Sequence, residues 1–323
     1  MPGRYGPHNP DETYVPHAYP EQLFDTGEFQ MNYAVVGDAK SPALLLIPGQ
    51  TESWWGYEAA MGILKDRFQA FAVDLRGQGR SGRTPGRYTL DNMGNDLVRF
   101  VQGVIGRPVI VSGLSSGGVL SAWLSAYAPP GLVRAAVYED PPLFGSETTP
   151  AYGHSIKQSI GPMFAMWSKY LGDQWAVGDW EGMAANAASE LPPAMAGFRP
   201  PAAPPQNLKE YDPEWGRAFW NGTWAASCDH ARMLAAVKVP VLLTHHMRHF
   251  NEETGFHMGA ISDAQIAQVR RLVEAAGQRF DYHSFPQMGH AMHAIDPALY
   301  AKTLADWTLK LPDQPLAPPT PKD

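Results

Sequence analysis

The pattern that most constrains this chain is a glycine-flanked serine between an apolar run and a helical run. The segment is Val109-Ile110-Val111-Ser112-Gly113-Leu114-Ser115-Ser116-Gly117-Gly118. Gly-x-Ser-x-Gly in this context predicts a tight turn from a strand into a helix, with Ser115 at its tip. A side chain at either glycine would meet neighbouring backbone. Ser115 is therefore the candidate nucleophile, and the Ser116 N–H at the helix N-terminus is a candidate oxyanion donor.

Short apolar runs alternate with segments of helical spacing along most of the chain, which indicates a mostly parallel sheet joined by crossover helices. The predicted strands are Glu28–Val36, Ala43–Ile47, Phe68–Val73, Val109–Val111, Ala135–Tyr138, Val239–Thr244 and Phe280–Phe285. The clearest predicted helices are Asp91–Val104 and Gly118–Ala128, whose apolar residues recur at spacings of three and four. The predicted fold class is α/β.

The stretch Pro142–Ala236 interrupts this alternation because it contains helix-like pieces without a convincing strand. We interpret residues 142–236 as a helical lid inserted between two parts of one core domain, 21–141 and 237–311. Within the lid, Asp212-Pro213 predicts a helix start that continues to about Trp224. Residues 1–20 and the proline-rich 312–323 are expected to be extended tails.

Composition excludes several classes of function. The net charge is -7 and no basic run could follow a phosphate backbone, so nucleic acid is not expected. No segment has the apolar length of a secretion signal or a membrane span, which predicts a cytoplasmic protein that binds no membrane. Cys228 is the single cysteine, and His245, His246, His249 and His257 lack acidic or cysteine partners at a recognisable spacing. We therefore predict no metal and no cofactor.

A serine hydroxyl needs a base to take its proton, and that base needs an orienting group. His290 follows the last predicted strand in Met288-Gly289-His290, where the glycine permits a sharp loop. We therefore predict His290 as the base. His293, three residues later, is the alternative and is expected to play a structural role.

The carboxylate that would orient His290 is harder to identify, because its usual position in the sequence is not occupied by an acid. The strand Val239–Thr244 ends in histidines where an aspartate is common, whereas the preceding strand ends in Glu139-Asp140. Because parallel strands bring their carboxyl ends to one edge, we predict Glu139 as the acid, with Asp140 second. Asp263 and the pair Glu252-Glu253 are outside candidates.

The loop after the strand Ala43–Ile47 is expected to supply the second oxyanion donor. It contains Pro48-Gly49-Gln50, and the Gln50 N–H is the natural donor. Trp54 follows shortly after and is expected either in the wall of a binding pocket or in the core.

Five motifs follow one another along the chain: Pro48-Gly49, Asp74-Leu75-Arg76-Gly77-Gln78-Gly79-Arg80-Ser81, the helix with Asp96-Leu97, GLSSGG and MGH. In this order they resemble the α/β-hydrolase superfamily, and the match extends over about Glu21–Leu311. Ser115 occupies the nucleophile position, so the chain is less similar to the epoxide hydrolases and haloalkane dehalogenases, whose chemistry needs a carboxylate there. The resemblance implies the α/β-hydrolase fold.

A narrower resemblance is to the bacterial zearalenone lactone hydrolases, through GLSSGGVLSAWLSAYA, PAYGHS, LGDQW, APPQNLKEYDPEWGRAF and VPVLLTHH. It implies opening of a macrocyclic resorcylic lactone by a Ser–acid–His triad, with the acid after the sixth strand, in agreement with Glu139. Zearalenone or a related small apolar lactone or ester is the expected partner. Trp220 and Trp224 would then pack against its ring, unless they form lid core.

Three alternatives remain open from the sequence: a carboxylesterase, a C–C bond hydrolase of the same fold, and a ligand receptor without turnover. The triad residues alone are compatible with both of the other hydrolases. A homodimer is likewise left open.

Overall fold

A computed structural model describes residues 15–147, 155–156, 160–175, 178–195, 197–253 and 256–311. Eight strands form one sheet in the order β1-β2-β4-β3-β5-β6-β7-β10, and β8 and β9 form a separate hairpin. The strands are β1 Glu21–Asp25, β2 Gln30–Val36, β3 Ala43–Ile47, β4 Gln69–Val73, β5 Val109–Leu114, β6 Val133–Glu139, β7 Val241–His245, β8 His249–Phe250, β9 His257–Met258 and β10 Phe280–Ser284.

Helices connect the strands and cover both faces of the sheet. They are α1 Glu58–Leu64, α2 Leu90–Phe100, α3 Ser116–Tyr127, α4 Gly161–Tyr170, α5 Trp180–Glu190, α6 Gln206–Lys209, α7 Pro213–Asn221, α8 His230–Leu234, α9 Asp263–Ala275, α10 Met292–Ile295 and α11 Pro297–Thr308. From β4 onward in the sheet order the strands run parallel, whereas β1 and β2 pair antiparallel and β2 is antiparallel to β4. The predicted fold class is confirmed.

The central strand β3 shows why a wholly apolar sequence occupies the middle of the sheet. Successive side chains of a strand point to opposite faces. Leu45 and Ile47 therefore belong to one buried cluster and Leu44 and Leu46 to another, and all four are fully buried. Two cores consequently hold β3 from both sides, which fixes the edge where the loops after β3 and β5 meet.

The described parts of residues 142–236 contain helices α4 to α8 between β6 and β7, and no strand. Asp212 caps α7 through a side-chain bond from the Glu214 N–H, and Pro213 is its first residue, as predicted. The helix ends at Asn221 rather than near Trp224, because Gly222 adopts a left-handed φ of 84°.

Several elements differ from the sequence expectations. Strand β1 and the short β8–β9 hairpin were not predicted, and the helix predicted over Asp91–Val104 ends as a π-helical turn, Val101–Ile105, after α2. Of the predicted N-terminal tail, residues 15–20 are described, and His17 stacks on Trp55. The predicted C-terminal tail, 312–323, lies outside the described residues. No described helix is long and apolar enough to cross a membrane.

Candidate active site

Ser115 occupies a strained turn between β5 and α3. Its φ of 54° and ψ of -119° are unusual for a residue with a side chain. A Cβ at Gly113 would lie 2.2 Å from the Gly117 carbonyl oxygen, and one at Gly117 would lie 2.3 Å from the Ile47 carbonyl oxygen. Both glycines are thus required by the turn. The Ser115 N–H donates to the Glu139 carbonyl oxygen over 2.8 Å, which ties the turn to the end of β6.

The carboxylate beside His290 belongs to Asp140. His290 Nδ1 donates to Asp140 Oδ2 over 2.6 Å. The prediction that Glu139 would occupy this position is wrong, because consecutive residues at a strand end point to opposite sides of the chain. Asp140, which has a positive φ of 41°, turns toward the cavity that contains Ser115 and His290. Glu139 points away from that cavity and contacts His293.

The environment of Asp140 favours its charged form. Burial raises the pKa of this carboxyl, but the hydrogen bond and charge of His290, together with His246, outweigh burial and lower it overall. Burial conversely lowers the pKa of His290, and the bond and charge of Asp140 raise it above its ordinary value. A raised His290 pKa means a more basic imidazole, which suits a group that must accept a proton from a hydroxyl.

His246 forms hydrogen bonds with both Asp140 and His290. Its backbone N–H donates to Asp140 Oδ1 over 3.1 Å, and its ring Nδ1 donates to the His290 carbonyl oxygen over 2.7 Å. The ring Nε2 then accepts from the Thr244 hydroxyl over 3.0 Å. His246 therefore holds both members of the pair, a role that its sequence context does not indicate.

The other three histidines of residues 245–257 lie in different environments. His245 is buried between the Tyr282 hydroxyl and the Ile261 carbonyl oxygen, His257 is also buried, and His249 is exposed. Within the described ranges, no group of three or more His, Cys, Asp or Glu side chains is arranged to hold a metal ion.

Glu139 and His293 form a second carboxylate–imidazole pair. His293 Nδ1 is 3.1 Å from Glu139 Oε2, the His293 N–H donates to Glu139 Oε1 over 3.0 Å, and both side chains are fully buried. Burial opposes charge on both groups, but their mutual attraction and hydrogen bonds lower the pKa of Glu139 and raise that of His293. His293 is structural as expected, and Glu139 is its partner.

Two backbone regions flank Ser115 where an oxyanion would form. Ser116 is the first residue of α3, so its N–H has no acceptor within the helix. Gln50 lies in the wall of the cavity, in a turn closed by the Glu52 N–H on the Gly49 carbonyl oxygen over 3.2 Å. Thr51 in this turn has a φ of 69°. The predicted donors Gln50 and Ser116 therefore belong to the two elements that border Ser115.

The segment Gln206–Asp212 of the helical region packs on this loop, residues 49–55, which we call the oxyanion loop. The Asn207 amide donates to the Thr51 carbonyl oxygen over 3.0 Å, and the Gln50 amide donates to the Tyr211 hydroxyl over 2.6 Å. Glu210, fully buried, accepts from the Ser53 hydroxyl and from Trp55 Nε1. These bonds hold the loop against the helical region.

A cavity of about 420 Å³ lies between the sheet edge and the helical region, and Ser115, Asp140 and His290 line it. Most of its wall is apolar, and aromatic and thioether side chains form a large part of it. The residues of this kind include Phe164, Trp167, Phe219, Phe256, Met247 and Met258. His290 is 43% exposed, so its imidazole is accessible from the cavity. The space suits an apolar molecule with a polar group near Ser115.

The aromatic residues predicted to bind ligand are placed elsewhere. Trp54 is fully buried and donates through Nε1 to Glu21, and Trp224 is fully buried and donates through Nε1 to the Met93 sulfur over 3.4 Å. The ring of Trp220 packs on Gly161. All three therefore belong to the packing of the protein, and none is among the described residues that line the cavity.

Residues 44–303 match the Alpha/beta hydrolase family. A 3-oxoadipate enol-lactonase 2 from Acinetobacter baylyi is 30% identical over 101 residues, which are 31% of this chain and 37% of the relative. The human epoxide hydrolase 4 is 27% identical over 129 residues, 39% of this chain and 35% of the relative. The matches thus span little more than a third of these curated relatives.

Solved structures show the same architecture over nearly the whole chain. The enol-lactonase from Burkholderia xenovorans LB400 covers 90% of this chain and 100% of its own, with a TM-score of 0.61 at 14% identity. The E-2-(acetamidomethylene)succinate hydrolase covers 90% and 99%, with a TM-score of 0.60 at 18% identity. At these identities the likeness shows the fold.

Proposed function

Because this chain belongs to the alpha/beta hydrolase family, we propose that it hydrolyses an ester bond of a small apolar substrate through a covalent serine intermediate. The observation that carries the proposal is the grouping of Ser115, His290 and Asp140 on one cavity, with the 2.6 Å bond between the last two. The enol-lactonase among its relatives supports a lactone as the substrate class.

In the proposed reaction, the bond to Asp140 keeps the proton of His290 on Nδ1, which leaves Nε2 to take the proton from the Ser115 hydroxyl. The Ser115 Oγ attacks the ester carbonyl, and the N–H groups of Gln50 and Ser116 stabilise the oxyanion. His290 then gives the proton to the leaving alcohol. A water molecule, which gives its proton to His290, then attacks the carbonyl of the acyl-enzyme. The bond to Ser115 Oγ breaks, His290 returns the proton to Oγ, and the acid is released.

The apolar wall favours a neutral, bulky molecule over a polar one. A resorcylic lactone such as zearalenone, which the sequence resemblance implies, combines an aromatic ring, an apolar macrocycle and an internal ester. Trp167, Phe164 and Phe219 are the aromatic side chains that line the cavity and would contact such a ring. We propose zearalenone as the first lactone to assay.

The decisive experiment compares ring opening of a lactone panel that includes zearalenone with hydrolysis of linear p-nitrophenyl esters. A serine-reactive fluorophosphonate should label the protein at Ser115, and Ser115→Ala should prevent labelling. Linear ester hydrolysis without lactone opening would replace the lactonase by a carboxylesterase. Ligand binding without labelling and without turnover would contradict the proposed enzyme.

A further inference from the structure

Glu52 gives the cavity wall a negative charge close to the reaction centre. Its side chain is 23% exposed and lines the cavity together with Ser115 and His290. Among the described residues that line this cavity there is no Lys or Arg to compensate for it. The catalytic mechanism proposed above assigns Glu52 no proton transfer, so its position calls for another explanation.

Two contacts fix the Glu52 carboxylate. Its Oε2 accepts a hydrogen bond from the Gly49 N–H over 3.0 Å, which is a bond within the oxyanion loop. The same oxygen lies 3.9 Å from His293 Nε2. The negative charge of Glu52 contributes to the raised pKa of both His290 and His293. Its charge therefore acts on the imidazole of His290 and on the buried imidazole of His293.

The buried pair of Glu139 and His293 keeps Glu52 in this position. The His293 ring is stacked on Tyr57 with centroids 3.8 Å apart, and its Nδ1 is held by Glu139. Its Nε2 is buried, has no hydrogen-bond partner among the residues that the structure describes, and lies 3.9 Å from Glu52 Oε2. An imidazolium in this place would lie between the carboxylates of Glu139 and Glu52, and its attraction for Glu52 Oε2 would limit the movement of the Glu52 side chain.

We propose that Glu52 is a specificity-determining residue that selects uncharged acyl groups and promotes release of the acid product. The inference rests on the proposed ester hydrolysis. When water cleaves the bond between the acyl carbon and Ser115 Oγ, His290 returns a proton to Oγ and the product leaves as a carboxylic acid. That acid loses its proton to solvent, so a neutral substrate becomes an anion beside Glu52, and like charges repel.

The test compares the wild type with Glu52→Gln, which keeps an oxygen acceptor for the Gly49 N–H and removes the charge. Two substrates are used, p-nitrophenyl butyrate and the mono-p-nitrophenyl ester of glutaric acid, which carries a free carboxylate. Assays are made on the alkaline plateau, where His290 is unprotonated in both proteins. We expect Glu52→Gln to raise the ratio of kcat/KM for the anionic ester to that for the neutral ester by roughly tenfold.

Product inhibition gives an independent readout. Butyrate should inhibit Glu52→Gln with a roughly tenfold lower inhibition constant than it shows for the wild type. Glu52→Asp, which keeps the charge, should retain a ratio closer to the wild type. The matched control is Asp66→Asn, because Asp66 is exposed at the opposite edge of the sheet, before β4, and its replacement changes the net charge equally.

If the ratio and the inhibition constant change no more in Glu52→Gln than in Asp66→Asn, the inference is overturned while the proposed hydrolase stands. Absence of any ester turnover by the wild type, with Ser115 unlabelled, would instead overturn the proposed function. Should Glu52→Gln not fold, the inference is tested on the wild type by the salt dependence of its preference for the neutral ester. Raising NaCl from about 0.05 M to about 0.5 M should then narrow the preference for the neutral ester, and an unchanged preference would refute the role of Glu52.

Discussion

Asp140→Asn and Glu139→Gln test which of two adjacent carboxylates serves the base. Asparagine at position 140 tolerates the positive φ of 41° and can still accept the His246 N–H, so the fold should survive. Its amide cannot serve as the charged partner of His290. We expect a large loss of kcat from Asp140→Asn and a small one from Glu139→Gln.

The magnitude follows from the geometry. Two unit charges about 4 Å apart in an effective dielectric of about 20 attract by about 4 kcal/mol. Asp140 offers this attraction to the imidazolium that forms at His290, and about 1.4 kcal/mol corresponds to a factor of ten in rate. Loss of the charge therefore predicts a fall of roughly a thousandfold. Loss of the productive tautomer brings the expected fall to between about a thousandfold and ten-thousandfold.

Glu139→Gln should act on stability instead. It leaves His293 in a buried site without its charged partner, and breaking such a pair typically costs about 3–5 kcal/mol. We expect a clear fall in Tm and a loss of kcat of roughly tenfold or less.

Both variants are assayed by steady-state kinetics and thermal unfolding, with Asp263→Asn as control, because Asp263 is 75% exposed and was a weaker candidate from the sequence. A crippling loss of kcat in Glu139→Gln, with Asp140→Asn near the wild type, would refute this assignment of the acid.

Three further outcomes are expected. Ser115→Ala should lower kcat by about a millionfold and leave folding intact, and activity within tenfold of the wild type would contradict the nucleophile. Because His290 must be unprotonated to act and its pKa is raised, kcat/KM should be lost as the pH falls through a midpoint above about 6.5, and a pH-independent rate would contradict the base. Trp167→Ala should raise KM for an aromatic lactone, whereas Trp224→Ala should lower stability by about 3–5 kcal/mol, and the reverse pattern would contradict their placement.

The sequence was sufficient for features that depend on local pattern. The turn that places Ser115 on the cavity was predictable because its two glycines are a steric requirement, and the position of His290 was predictable because a glycine precedes it after the last strand. The choice between Glu139 and Asp140 was not local. It depends on which way the chain turns at the end of β6, and on the φ of 41° that Asp140 adopts there.

Which aromatic side chains line the cavity could not be predicted from the sequence, for a similar reason. A helix with several large apolar side chains can bury any of them until the surface beneath it is known. Phe219 on α7 faces the cavity, whereas the neighbouring Trp220 packs on Gly161. No motif near Trp167 on α4 identifies it as a residue that lines the cavity.

The bonds between the oxyanion loop and the segment Gln206–Asp212 have a consequence for the order of folding. Gln50 and Tyr211 are 161 positions apart in the chain, and Thr51 and Asn207 are 156 apart. Contacts between such distant residues require the closure of a long loop, so they form late compared with local helices and hairpins. During synthesis, Ser115 can reach its turn before the residues that brace the oxyanion loop exist. On refolding, recovery of activity should therefore lag behind the recovery of helical circular dichroism.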